Sequence, residues 1–281
     1  MESKYQVRWS PTLGALEGTH KEVWGTDDHT DDVRPTVFFG IYGLPDFYKL
    51  WRHIGTKYIL WAGSDINHFK NGYWLEDGGG IKVDPKPLAE WINKHCKSYC
   101  ENEVERSVLH DCGIEAEVIP SFLGKVSDYE IEFKPGKTRV YLSANPGREL
   151  EYGWGVIEAI ADRCNADFYL YGVNDWKTKH PNVHVKGRVP KEVMNDEIKS
   201  MTCGLRLNEH MDGFSEITAK SILWGQYPLV WSKFQYPFLD SFSNLDELVE
   251  KINGLSEKTH YNPVREWYKN NLNKYPWNTK S

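Results

Sequence analysis

Residues 203–231, CGLRLNEHMDGFSEITAKSILWGQYPLVW, constrain the fold more than any other part of the chain. Residues 204–207 are a short apolar run, and 208–213 a polar turn ending in glycine. Phe214, Ile217, Ala219, Ile222, Leu223 and Trp224 then recur at helical spacing, until Gly225 and Pro228 break the pattern ahead of Leu229, Val230 and Trp231. A strand, a loop, a helix and a second strand in that order imply a parallel sheet, because parallel neighbours need a crossover. In such sheets ligands meet the loops that leave the carboxyl ends of the strands. A helix start also gathers unpaired N–H groups, so Gly213, Phe214 and Ser215 are candidates to receive a phosphate or the polar edge of a sugar. An ordinary crossover with Asp212 or Ser215 as helix cap accounts for the same residues.

The alternation extends along the chain. Strands are predicted at 36–39, 58–62, 95–100 and 116–120, with helices over 46–53, 85–94 and 104–112. Residues before 35 show little periodicity. Residues 121–137, with Gly124, Pro135 and Gly136, lose the alternation and read as a linker. Strands resume at 138–143, 168–171 and 183–185, with helices over 155–164, 191–201, 245–252 and 263–272. The fold class is α/β, with two Rossmann-like halves.

Length and composition narrow the function classes. A chain of 281 residues with 40% hydrophobic content supports one large or two medium domains. Net charge of −6 argues against a strongly electrostatic nucleic-acid binder. Twelve Trp and 16 Tyr supply core, and also flat surfaces on which sugar rings or bases stack. The five cysteines have no CxxC pair and read as reduced, mostly buried thiols of a cytoplasmic protein without a membrane span. His95, Cys96 and Cys100 lack a second ligand pair at zinc spacing. Gly78, Gly79 and Gly80 follow no strand and lack the GxGxxG spacing, which removes a dinucleotide-dependent oxidoreductase.

Two polar clusters stand out. Asp27, Asp28, His29, Asp31 and Asp32 have the residue types of a metal or acid/base site, and equally those of a solvated loop. Gly63, Ser64 and Asp65 follow a strand directly, where an α/β sheet presents groups to a ligand or simply caps the next helix.

The two halves and their linker resemble the GT-B fold of nucleotide-sugar glycosyltransferases, and residues 140–230 carry most of the likeness. Residues 116–120, ending in Val-Ile-Pro, resemble the end of that family's first domain. Residues 140–148 resemble the first donor-domain strand with its Gly-Arg diphosphate loop. Residues 212–230, DGFSEITAKSILWGQYPLV, resemble the donor signature of the retaining family-four type.

The resemblance implies two Rossmann-like domains facing a cleft. A reduced acceptor-side domain spans 1–130, with a C-terminal helix in 258–281 packing back on it, and a donor-binding domain spans 131–257. The implied reaction moves a sugar from a UDP- or GDP-sugar to a hydroxyl acceptor with retention, as a hexosyltransferase, with no cofactor beyond the nucleotide sugar and no obligatory metal. Arg148, Glu209 and Lys220 are the catalytic candidates. Gly147, Gly172, Arg188, Val189, Asp212, Gly213, Phe214, Ser215 and Glu216 are the donor-binding candidates, and Gly43, Asp65 and His68 lie on the acceptor side. Arg148 suits a diphosphate because guanidinium binds phosphate oxygens bidentately and keeps its charge.

The pattern also departs from the family. Lys220 stands where the signature has its second acid, and a lysine cannot accept ribose hydroxyls. Glu216, one turn earlier, is placed to take over that task, while Lys220 could supply positive charge. Tyr152 stands near the place of the family's lysine after the Gly-Arg loop. Two alternatives stay open: a transferase acting on modified DNA bases, and a nonenzymatic nucleotide-sugar-binding homologue. The acceptor is correspondingly a glycan, a small molecule or a modified base.

Overall fold

The computed structural model describes residues 2–16, 18–73, 82–208 and 213–280. They pack as two units. The first runs to Lys125 and takes in Gly213, Phe214 and the tail from Asn271; the second runs from Val126 and takes in Ser215 and the chain to Asn270.

The first unit holds six parallel strands, β1 (Gln6–Trp9), β2 (Asp27–Asp28), β3 (Thr36–Phe39), β4 (Lys57–Leu60), β5 (Cys96–Cys100) and β6 (Ala116–Val118), in the order β2-β1-β3-β4-β5-β6. Its central strands are apolar at consecutive positions because both faces are covered. Val37, Phe39, Tyr58 and Leu60 enter one core. Phe38, Ile59 and Cys100 enter the other, with apolar residues of helices Leu44–Arg52, Ser64–Lys70, Pro85–His95 and Glu103–Asp111.

β1 is a correction to the sequence reading, which finds little order before residue 35. Gln6 and Arg8 interrupt its apolar pattern, yet Gln6 is fully buried. Its amide donates to Asp31 O at 2.5 Å and Thr36 Oγ1 at 2.9 Å and accepts from Thr30 N at 2.9 Å, so the neighbouring loop satisfies it.

The tail completes the first core. Trp277 is 0% exposed and stacks on Tyr275 with ring centroids 4.5 Å apart. The Tyr275 hydroxyl donates to Ile119 O at 2.7 Å, and Asn273 exchanges hydrogen bonds with the main chain of Phe122 at 2.7 and 2.9 Å. Much of the aromatic content is therefore core: Trp24, Trp61 and Trp154 are buried as fully as Trp277.

The second unit repeats the plan with β7 (Thr138–Ser143), β8 (Ala166–Tyr171), β9 (Val183–Gly187), β10 (Cys203–Arg206), β11 (Leu229–Trp231) and β12 (Asp240–Phe242), in the order β12-β11-β10-β7-β8-β9, all parallel. The helix predicted over 155–164 ends at Ile160 and continues as a 3₁₀ turn, Ala161–Arg163. Helix Val264–Asn271 is tied into this unit up to Asn270, its Arg265 donating to Leu223 O at 2.7 Å and Tyr129 O at 2.8 Å. Among the described residues no helix is long and apolar enough to cross a membrane.

Candidate functional site

The second sheet reverses its direction of growth between β7 and β10. β7, β8 and β9 extend toward one edge and β10, β11 and β12 toward the other, so the loops after β7 and β10 diverge from adjacent strands. That reversal, at the carboxyl ends, is where open α/β sheets bind ligands.

Gly153 ends the loop that follows β7. It has φ +83°, and a Cβ there would overlap the side chain of Leu207, so only glycine lets this loop lie against the end of β10. The result is a cluster around Tyr152. The guanidinium of Arg206, the last residue of β10, lies 4.8 Å from the ring centroid, and that of Arg148 lies 5.3 Å from it. Arg206 is only 8% exposed. Burial pushes its pKa down, with Tyr152 and Tyr236 opposing and Arg148 adding to the decrease, but a guanidinium keeps its proton. Arg148 is half exposed and bidentate with Glu151, its Nε 2.6 Å from Oε2. Two cations thus share one ring, an arrangement whose chemistry suits an anionic ligand.

Arg206 escapes sequence reasoning because residues 204–207 read as one apolar run, in which the arginine passes unremarked. The available signal is its place as the last strand residue before the polar turn.

Lys220 is 6% exposed on helix Glu216–Leu223. Its ammonium meets Glu216 Oε1 at 2.9 Å and donates to Asn195 Oδ1 at 3.0 Å, while Lys191 reaches the same Glu216 oxygen at 3.1 Å. Burial lowers the pKa of Lys220 against the pull of Glu216. Burial raises that of Glu216, but Lys220 and Lys191 outweigh it and the net direction is down. Glu216, the proposed ribose acceptor, is thus an ionised group shared by two lysines. Ser215 precedes the helix without a side-chain cap bond. Gly147 is exposed in the loop after β7, and its N–H donates to Glu149 Oε1 at 2.9 Å. Gly172 follows β8 and donates to Gly187 O at 2.8 Å. Arg188 is exposed, its main-chain N–H held by Asn174 at 2.9 Å, and Val189 packs against the apolar cluster that contains Tyr141 and Ile198.

Gly213 and Phe214 belong to the first unit. The N–H of Phe214 donates to Glu101 Oε2 at 2.6 Å, and a Cβ on Gly213 would overlap that carboxylate. Ser121 donates to the other oxygen of Glu101, and Glu105 accepts from the main chain of Glu101 at 2.8 Å. Burial raises the pKa of both acids, and their mutual repulsion raises that of Glu101 further. Neither glutamate figures in the sequence reading, because helix Glu103–Asp111 makes them look like ordinary helix-start acids.

Asp65 is fully buried, its oxygens accepting from Ile41 N and Ala62 N, both at 2.9 Å, so it fastens the ends of β3 and β4. Gly43 begins helix Leu44–Arg52, and His68 is exposed with its ring 5.5 Å from that of Tyr42. Glu209 and Asp212 lie outside the described residues.

The pair of six-stranded parallel sheets matches the GT-B fold of glycosyltransferases. TarM superposes with a TM-score of 0.56 at 15% identity over 87% of this chain. A TarM mutant from S. aureus, solved with fondaparinux, alpha-GlcNAc-glycerol and UDP, gives 0.55 at 18% identity over 88% of this chain. HepE of Anabaena, solved with UDP, gives 0.54 at 8% identity, covering 87% of this chain and 72% of its own. The chain spans 51% of the length of either TarM structure. No family model and no curated protein sequence matches it.

Proposed function

We propose that this protein is a glycosyltransferase that takes a sugar from a nucleoside-diphosphate donor, with UDP or GDP as the nucleotide, and delivers it with retention to a hydroxyl acceptor. The observation that carries this reading is the Arg148–Tyr152–Arg206 cluster at the reversal of the second sheet. Breaking the anomeric bond leaves growing negative charge on the diphosphate, and cations already aimed at that charge lower the barrier. The buried guanidinium of Arg206 and the exposed one of Arg148 supply that charge without a metal. The base contacts the loops after β8 and β9, at Gly172, Arg188 and Val189, and Glu216 accepts from the ribose. The acceptor belongs to the first unit, near Gly43 and His68, where Asp65 holds the strand ends in place. UDP in the solved TarM and HepE complexes is consistent with the nucleotide class.

The test is a thermal-shift panel of UDP, GDP, ADP and their sugars, because a ligand at about 100 times its dissociation constant stabilises the fold by about 2.7 kcal/mol. One nucleotide class should raise the midpoint, and product anomers read by NMR should keep the donor configuration. A midpoint unmoved by every nucleotide sinks the donor-site assignment. The burial of Lys220 between Glu216 and Asn195 favours a second reading, a binding module without transfer. Nucleotide-sugar binding with no turnover across an acceptor panel would select it.

A further inference from the structure

His29, Asp32 and His53 converge in the first unit, on the side of the sheet lined by Phe38. Their donor atoms lie within 4.8 Å of one another, the one such group among the described residues. Main-chain bonds set the geometry. His29 follows β2 and donates its N–H to Val7 O at 3.1 Å. His53 caps helix Leu44–Arg52, donating to Lys49 O at 3.2 Å. The carbonyl of Asp32 accepts from Ile54 N at 2.7 Å and Gly55 N at 3.1 Å, which pins the turn before β3 to the turn after that helix. Both imidazoles flank Phe38, with centroids 6.3 and 5.5 Å from its ring.

His29 Nε2 lies 3.6 Å from Asp32 Oδ1, and His53 Nδ1 lies 3.9 Å from the same oxygen. Those separations are too long for hydrogen bonds. They approach the roughly 3.4 Å between ligand atoms that each sit about 2.1 Å from one tetrahedral ion. His29 Nε2 and the Nδ1 of His53, a residue only 2% exposed, are buried without a hydrogen-bond partner. Such atoms are rare in folded proteins and costly.

The neighbouring acids have other partners. Asp31 and Asp27 bind Arg34 at 2.7 and 3.1 Å, and Asp28 binds Lys21. Arg8, whose charge acts on His29, is taken by Asp46 at 2.9 Å. Asp32 is the acid of the run that faces the two imidazoles.

We propose that His29, Asp32 and His53 bind a divalent transition-metal ion of the zinc class, with water completing the coordination. Two imidazoles and one carboxylate suit such ions rather than magnesium or calcium, which prefer all-oxygen shells. The ion ties the edge of the first sheet at β2 to the end of helix Leu44–Arg52. The site stands independently of the sugar-transfer reading.

The experiment uses the full chain, with any purification tag removed and metal stripped by chelator. Zn²⁺ binding is read by calorimetry and by the thermal midpoint, and Co²⁺ binding by the visible d–d absorption of a four-coordinate ion. One equivalent should bind, raise the midpoint and give that absorption. His29→Ala and Asp32→Asn, at side chains 22% and 44% exposed, should each weaken Zn²⁺ binding at least tenfold while the apo fold persists by circular dichroism. A variant with Cys96→Ser and Cys112→Ser should bind as the parent does. Failure of the parent to bind Zn²⁺, equal affinity in His29→Ala, or loss only in the cysteine variant each overturns the proposal. Equal binding of Mg²⁺ overturns the assigned ion class.

Discussion

Replacing Arg206 with methionine separates a ligand-binding role from a structural one. The side chain is 8% exposed and lies 4.8 Å from the Tyr152 ring, and its pKa is lowered by burial. In the free protein, Met keeps most of the apolar volume against Tyr152. The cation–π attraction, about 1–2 kcal/mol, and the hydrogen bond with Tyr152 are lost, and the burial of an ion beside a second cation is relieved. The net change in unfolding free energy should stay within about 1 kcal/mol. With a nucleoside diphosphate bound, the variant loses a charge-assisted phosphate contact worth about 1.5–3 kcal/mol, or about 10- to 150-fold in Kd. Arg148 is half exposed and already paired with Glu151, so a ligand must compete for it. Sequence reasoning alone would assign an arginine-to-alanine change there a loss of roughly 100-fold in rate. If the proposed donor site holds, the buried guanidinium of Arg206, set against Tyr152 and lowered in pKa by burial, should show a binding loss at least as large as that at Arg148. Calorimetric titration of UDP into the parent, Arg206→Met and Arg148→Ala, with ligand-free urea melts of each, measures both quantities. Parent-like UDP affinity in Arg206→Met, or a drop in ligand-free stability that accounts for the whole loss, would refute the reasoning.

Three further outcomes follow from the packing. Trp277→Ala should cost about 3–5 kcal/mol in urea melts, since the indole is fully buried against Tyr275, Tyr58 and Tyr99; a change under about 1 kcal/mol would show the tail to be dispensable. Burial pushes Asp65 from its ordinary 3.8 up to about 7, so the folded state holds a proton that the unfolded chain releases. Its contribution, on the order of 4 kcal/mol, is present at low pH and lost as pH rises through about 7. Asp65→Asn should therefore flatten the fall in stability between about pH 4 and about pH 7, and equal slopes in parent and variant would contradict this. Lys220→Met should change stability by under about 1 kcal/mol, because Glu216 keeps Lys191, whereas Lys220→Glu places a second acid one turn from Glu216 and should cost about 3 kcal/mol or more. Equal melts for the two variants would deny the inward-facing pair.

The parallel α/β plan was legible because a strand buried on both faces must be a short apolar run, and a crossover helix must show its own period. The runs at 36–39 and 138–143 coincide with β3 and β7. β1 was hidden because Gln6 breaks the pattern and is buried only through hydrogen bonds to Thr30 in the loop and Thr36 at the start of β3. Arg148 was legible from its loop, since glycine beside arginine after a strand is a local pattern. Arg206 acquires meaning only when Gly153 lets the loop after β7 settle against Leu207 and brings Tyr152 beneath it. Glu101 meets the Phe214 N–H across 113 positions, and His53 joins His29 and Asp32 through the end of a helix. Local periodicity is written into the chain because each turn or pleat repeats the same burial. The meeting of charged side chains has no period, so it is decided only when the sheets order their strands.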